Sequence, residues 1–446
     1  MSNARFSLSE DTLKQIAADA LAHAKVLGAS AADAEVNDGF GQGVTVRARE
    51  VETIEYTRDK SLGVTVYLGR KRGSASTSDF SPKAIRDTVE AALTIARHTG
   101  EDDCAGLPDA HRHPTTLPEL DLYHPWDVPV DTAIEIASRC EAAALDFDAR
   151  ITNSEGSNIY TQQWHFVHAN SNGFVGGYPT SRYSLSCSVI GGQGDEMQRD
   201  DWYTAARRED ELESAEAVGR RAAERTVRRL NARKLDTVQA PVLFDATLAG
   251  GLIGHFIGAV SGGAIYRKST FLLDSLGTQV FAPNVNLREA PHMLRGLSSA
   301  PFDDEGVATA SRDVVTAGVV QGYFLGTYSA RKLGMQSTGN AGGSHNLVLG
   351  SGSLDFDGLL KKMGRGLLVT ELLGSGINAV TGDYSRGAAG FWVEGGAIAY
   401  PVHEITIAGN LKEMFRGIVE IGTDVLKRGS KTTGSILIDN MTIAGN

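Results

Sequence analysis

The chain has 446 residues, 41% of them apolar and 22% charged, with a formal net charge of −11 and a pI near 5.5. That balance suits a globular protein of two or three domains and argues against nucleic acid or an anionic membrane as the main partner, since both are bound through clustered positive charge. Three cysteines without metal-ligand spacing, no apolar run of the roughly 18 residues a membrane span needs, and no signal-peptide pattern lead us to expect a cytoplasmic protein.

Ser7-Leu8-Ser9-Glu10 reads as a capping box ahead of a helix whose face carries Leu13, Ile16, Ala17, Ala20, Leu21 and Ala24, with Gly28 as its stop. Val44, Val46 and Ala48 alternate, as do Val64, Val66 and Leu68, at the period of half-buried strands. Ser81-Pro82 opens a second helix through Ile85, Val89, Ala92 and Ile95. Residues 1–100 thus read as an N-terminal α+β domain. From 101 to 130 the period disappears and five of the twelve prolines gather, so this stretch reads as a linker, with His111, His113 and His124 as solvated loop histidines.

Asp131 is expected to cap a helix toward Leu145, followed by strands near Asn158–Val167, Gly173–Tyr178 and Tyr183–Ile190 and a long helix from Glu209 to about Lys234. Residues 131–236 therefore repeat the order helix, strands, helix as a central domain. The last helix carries Arg220, Arg221, Arg225, Arg228, Arg229 and Arg233, interspersed with Glu216 and Glu224, and reads as a solvated face. Residues 237–446 are glycine-dense and mostly β. Hairpins are expected at Ala317-Gly318 and Gly395-Gly396, a short helix over Tyr328–Lys332, a longer one over Leu411–Val425, and a last strand over Ser435–Ile438. The fold class is α+β: two helix-strands-helix units followed by a glycine-rich, mostly β domain.

The chemistry-bearing stretches all lie in this last part. Asp303, Asp304 and Glu305 have the residue types of a cation site but read as solvated surface. The Ser337–Asn346 loop reads as a tight turn, and Ser385 with His403 lacks the elbow of a serine hydrolase. His255, His292, His345 and His403 with Glu404 are the set from which an unorthodox metal site would be drawn. Tyr266-Arg267-Lys268 and Tyr384-Ser385-Arg386 each place a ring beside positive charge, suited to backbone carbonyls and carboxylates of an extended peptide or to a partner's acidic rim. Tyr266, Arg267, Lys268, Tyr384 and Arg386 are therefore the candidate peptide- or partner-binding residues. Finally, an apolar helix pattern over Leu243–Phe271 holds Gly250, Gly251 and Gly254 beside His255. Each such glycine costs roughly 1 kcal/mol against alanine, which points to close backbone approach or to a vacated site.

That helix, with FDDEG (302–306), STGNAGGSHN (337–346), TGDYSRGAAGFWVE (381–394) and PVHEITIAGN (401–410), closely resembles the TldD/PmbA family of zinc peptidases, in its PmbA/TldE branch. The resemblance is specific over roughly the last 210 residues and architectural before them. The family's catalytic branch carries HExxxH on this helix. Matching Gly254-His255 to the family's Gly-His places Gly250 and Gly251 where the first histidine and the glutamate would be, leaving His255 as the one candidate ligand. The family's late cysteine is also missing, since Cys104, Cys140 and Cys187 all precede the helix. The resemblance therefore implies no catalytic residue, metal or cofactor in this chain. It implies a TldD-type catalytic partner holding zinc, unfolded or modified peptides as substrates, and a homodimer as one form of the isolated chain. The alternatives are an autonomous metallopeptidase with an unorthodox site, or a peptide-binding scaffold.

Overall fold

The computed structural model describes residues 6–427 and 429–445. The first half builds one antiparallel six-stranded sheet from two sequential units. Helix α1 (Glu10–Val26), strands β1 (Ala31–Arg47), β2 (Glu50–Leu68) and β3 (Lys71–Thr77) and helix α2 (Pro82–His98) come first. Helix α3 (Val130–Leu145), strands β4 (Ile151–Asn170), β5 (Val175–Gly191) and β6 (Gln198–Ala206) and helix α4 (Ala215–Arg228) follow. The sheet order is β3-β2-β1-β4-β5-β6, so the two units join edge to edge through β1 and β4.

Alternation along β1 decides which face each side chain takes. Ala32, Ala34, Val36, Val44 and Val46 are buried under the helices: α1 and α2 cover one half with Leu13, Val89 and Leu93, and α3 and α4 cover the other with Ala137, Val218 and Ala222. The opposite face of β1 carries Asp33, Glu35 and Asn37. Helices α3 and α4 touch at Gly219, where a β-carbon would lie 1.9 Å from the Cys140 carbonyl oxygen. Gly219→Val is therefore expected to cost about 1–3 kcal/mol through forced separation of the two helices, read as a lower urea midpoint with an unchanged denaturant slope.

Several boundaries differ from the sequence expectation for identifiable reasons. Ser9, not Ser7, caps α1 by accepting the Thr12 N–H, while the Ser7 hydroxyl donates to Asp38. Helix α3 begins at Val130, with Pro129 rather than Asp131 at its cap. Helix α4 is much shorter than 209–234, because Ser214 caps it by accepting the Ala217 N–H and the chain leaves the helix by Asn231, whose φ is 61°. Between the units, residues 101–130 lie against the C-terminal half. Leu107, Leu120 and Leu122 are buried, and the Arg331 guanidinium donates to the carbonyls of Cys104, Gly106 and Leu107.

From β7 (Val238–Phe244) and α5 (Ala246–Ala259) onward the chain forms two further sheets. In the larger, the strands run in the order 397–410, 383–394, 366–373, β7, 436–444 and 418–421, and pairing of Thr406–Ala408 with Thr442–Ala444 closes it on itself. Both expected hairpins are present, with φ of 48° and 80° at Ala317-Gly318 and 57° and 76° at Gly395-Gly396. The helix expected over 411–425 stops at Arg416, since Ile418–Ile421 pairs as a strand with the terminal segment instead.

Candidate functional site

Helix α5 starts where Asp245 accepts the N–H and hydroxyl of Thr247. Ala249, Leu252, Ile253 and Phe256 bury one side of it in the core. At about 100° per residue, positions 250, 251, 254 and 255 share the other side. A β-carbon at Gly251 would meet nothing within 4 Å, and at Gly250 and Gly254 it would touch only the Lys431 stem, at 3.5 and 3.7 Å. No close backbone approach requires these glycines, and the Lys431 ammonium sits over the face they leave open, 4.0 Å from where the Gly254 β-carbon would be.

His255 closes that face. Its ring meets Tyr384 edge-on at 6.0 Å, and burial together with the nearby Arg386 charge holds its pKa below the usual imidazole value. Tyr384 is buried. Its hydroxyl lies near Arg386 without a strict hydrogen-bond partner among the described residues, and burial pushes its pKa up to about 12. The structure thus joins three of the sequence-singled residues, His255, Tyr384 and Arg386, and adds Lys431. Tyr266, Arg267 and Lys268 do not share these partners. Arg267 stacks on the Tyr266 ring at 5.2 Å and donates to its hydroxyl, Tyr266 meets Tyr328 edge-on, and Lys268 is exposed with φ 55°.

The donor set does not fit a zinc ion, which needs about three protein ligands. The α5 face offers one imidazole beside two cations, and no three His, Cys, Asp or Glu side chains group as ligands among the described residues. The remaining histidines of the expected set disperse. His292 bonds Thr309, His345 is buried near Glu289, His403 faces Gln198, and Glu404 pairs with Lys234. Ser385 pairs with Ala408, five positions from His403 and so roughly 17 Å along the strand, which leaves no nucleophile–base pair.

Three expectations of solvated surface hold only in part, since Asp304, His111 and most of the arginines over 220–233 are exposed but other members are not. Asp303 is buried and accepts the N–H groups of Glu305, Val307 and Ala341, which folds FDDEG against the 337–346 loop. His113 stacks on Phe174, and its Nδ1 bonds the Gly306 carbonyl. Arg225 of α4 and Arg229 just past its end turn inward to Asp200. Glu289, which no sequence pattern marked, is buried and organises the 337–346 loop. It accepts from Arg312 Nε at 2.8 Å, Asn340 Nδ2 at 2.8 Å and the His345 N–H at 2.9 Å.

Comparison with known proteins matches the whole architecture. Models of the PmbA/TldA metallopeptidase domain 1, central domain and C-terminal domain match residues 32–96, 123–230 and 237–445. The chain is 50% identical to Metalloprotease PmbA of Escherichia coli O157:H7 over 93% of this chain and 92% of that one. It is 48% identical to a PmbA homolog of Haemophilus influenzae over 100% and 99%. A TldD homolog from the same Haemophilus strain is 22% identical over 81% and 78%. Among solved structures, a candidate modulator of DNA gyrase from Bacteroides thetaiotaomicron superposes with a TM-score of 0.92 at 28% identity, covering 98% and 100% of the two chains. TldE from Thermococcus kodakarensis shares the fold at a TM-score of 0.83 and 20% identity, covering 96% and 100%.

Proposed function

Because the chain belongs to the PmbA/TldD metallopeptidase family, we propose that it is the PmbA/TldE-type subunit of a cytoplasmic two-subunit metalloprotease, binding unfolded or modified peptides while a TldD-type partner holds zinc and cleaves them. The observation that carries this reading is the α5 face: glycine stands at 250 and 251, and the Lys431 ammonium covers the surface between them and His255. A cation placed there repels a dication, and glycine supplies neither a ligand nor a base for water. The presence of a PmbA homolog and a TldD homolog in one Haemophilus strain supports the pairing. In this reading Tyr266, Arg267, Lys268 and Arg386 serve peptide or partner contact rather than chemistry, whereas Tyr384, expected among them, is buried behind Arg386 and His255 and packs the face from within.

A route for holding extended chain is the outer edge of β2. Strand β3 pairs with it only from Leu62 onward, so Glu50–Ser61 present an edge unpaired among the described residues, to which a peptide or partner strand adds. The test is elemental mass spectrometry of the purified chain together with cleavage of an unfolded peptide, with and without a TldD-type protein. No stoichiometric zinc, and cleavage only in the mixture, is the expected result. One zinc per chain with chelator-sensitive cleavage in isolation would overturn the proposal in favour of an autonomous peptidase.

A further inference from the structure

Away from α5, the sheet face opposite the helices is roofed by the C-terminal half over a cavity of about 480 Å³. Register fixes its floor. Glu35 of β1 stands directly opposite His168 of β4, and the neighbouring pair is Asp33 with Asn170. Asp304 and Glu305 of the FDDEG turn come down from the roof, so four carboxylates line the cavity, with Arg72 the one arginine or lysine among its lining residues.

Two of these carboxylates have structural partners: Glu35 accepts from Asn37 Nδ2 and Glu305 from the Thr327 N–H. His168 is the independent observation. It is 4% exposed, it lines this cavity and the smaller one beside it, and neither ring nitrogen has a hydrogen-bond partner among the described residues. A buried imidazole left unpaired costs free energy that a ligand would recover.

We propose that this cavity binds a protonated primary amine carried by a peptide, either a lysine side chain or an amino terminus, held between Asp33, Glu35, Asp304 and Glu305 and donating one N–H to neutral His168. The charge excludes an anion. A bare metal ion is disfavoured because no three of these groups converge as ligands among the described residues. An ammonium has three donors spread over a wider radius and suits separated acceptors. The inference deepens the peptide-binding reading by naming the feature of the peptide that is read, and rests on that reading only for the peptide. Measured on the isolated chain, its failure leaves the role beside a TldD-type partner untouched.

The cavity also predicts proton release. Burial raises Asp33 to about 7, against the Arg72 charge and with repulsion from Glu305 and Glu35; Asp304, more open to solvent, is shifted upward by partial desolvation and by repulsion from Glu35 and Glu305. Burial and the neighbouring His113 hold His168 down to about 4, so it stays neutral. Tyr67, also facing the cavity, is pushed up to about 12 and stays protonated. A bound cation favours the ionised carboxylates, so near pH 6.5 binding expels protons.

The experiment is calorimetric titration of the full chain at pH 6.5, in two buffers of different ionisation enthalpy. The probes are a free-amine alanine tripeptide amide, its N-acetylated form, and an N-acetylated Ala-Lys-Ala amide. We expect one or both amine-bearing peptides to bind one to one with buffer-dependent heat, and the neutral acetylated peptide not to bind. Which amine wins identifies the source. Asp304→Asn, on the exposed wall, is expected to weaken binding about tenfold, with Glu35→Gln as the check from the floor. Equal binding of the neutral peptide, absence of binding by both amines, or wild-type affinity in both variants would overturn the proposal.

Discussion

Arg229→Ala is expected to lower the unfolding free energy by about 3 kcal/mol, because it leaves half-buried Glu371 without its cation and buried Asp200 with Arg225 alone. Arg229 lies just past α4, donates to the Arg199 carbonyl, and pairs with Asp200 of β6 and with Glu371 in the C-terminal sheet. It is therefore the ionic bolt between the first sheet and the second, in a seam that also holds Arg233–Pro401, Gln198–His403 and Arg228–Phe391 contacts. Urea denaturation followed by circular dichroism reads the loss. Adding Glu371→Gln to the alanine variant is expected to restore part of it, since the carboxylate left without a cation is then gone, while Asp200 keeps Arg225. A midpoint unchanged by Arg229→Ala would show that water reaches the pair.

The second large effect is expected at Glu289. Its replacement by alanine leaves the Arg312 guanidinium with only the neutral acceptors of Tyr323 and Asn340, the Asn340 amide with only the Gly343 carbonyl, and the His345 N–H unpaired in the interior, a loss of about 3–5 kcal/mol. Glu289→Gln keeps an acceptor but not the charge and is expected to lose less. The defect is local in origin, so hydrogen exchange should quicken first across the 337–346 loop, before global unfolding. Uniform exchange across that loop in wild type and variant would argue that its glycine-rich backbone holds itself.

Sequence made legible what local chemistry decides. Ser81-Pro82 starts α2 as expected, Gly318 and Gly395-Gly396 turn their hairpins, and the glycine-studded α5 is a helix. The β1–β2 hairpin escaped notice because its turn residues, Ala48 and Arg49, take positive φ without being glycine or asparagine. They are held there by buried Glu141, which accepts both N–H groups. Residues 50–60 of β2 are exposed throughout, so no face is buried to impress a period of two. The buried roles of Asp303, Arg229 and Glu289 depend on partners supplied by distant segments, as does the cavity, where Asp33 and Asp304 meet from opposite ends of more than half the chain. The family motifs drew attention to the glycine face of α5, but the Lys431 side chain over it comes from the far end of the domain and carries no local signal.

The β2 edge left unpaired among the described residues also bears on how the chain stays in solution. An unpaired strand of this length, with Val51, Ile54 and Tyr56 exposed, is a template for any unfolded chain that meets it. Glu50, Glu52, Glu55, Arg58, Asp59 and Lys60 interrupt that ribbon with charge, the arrangement that keeps such edges from nucleating aggregates. Wherever that edge is left uncovered, the chain thus depends on those few charges for solubility.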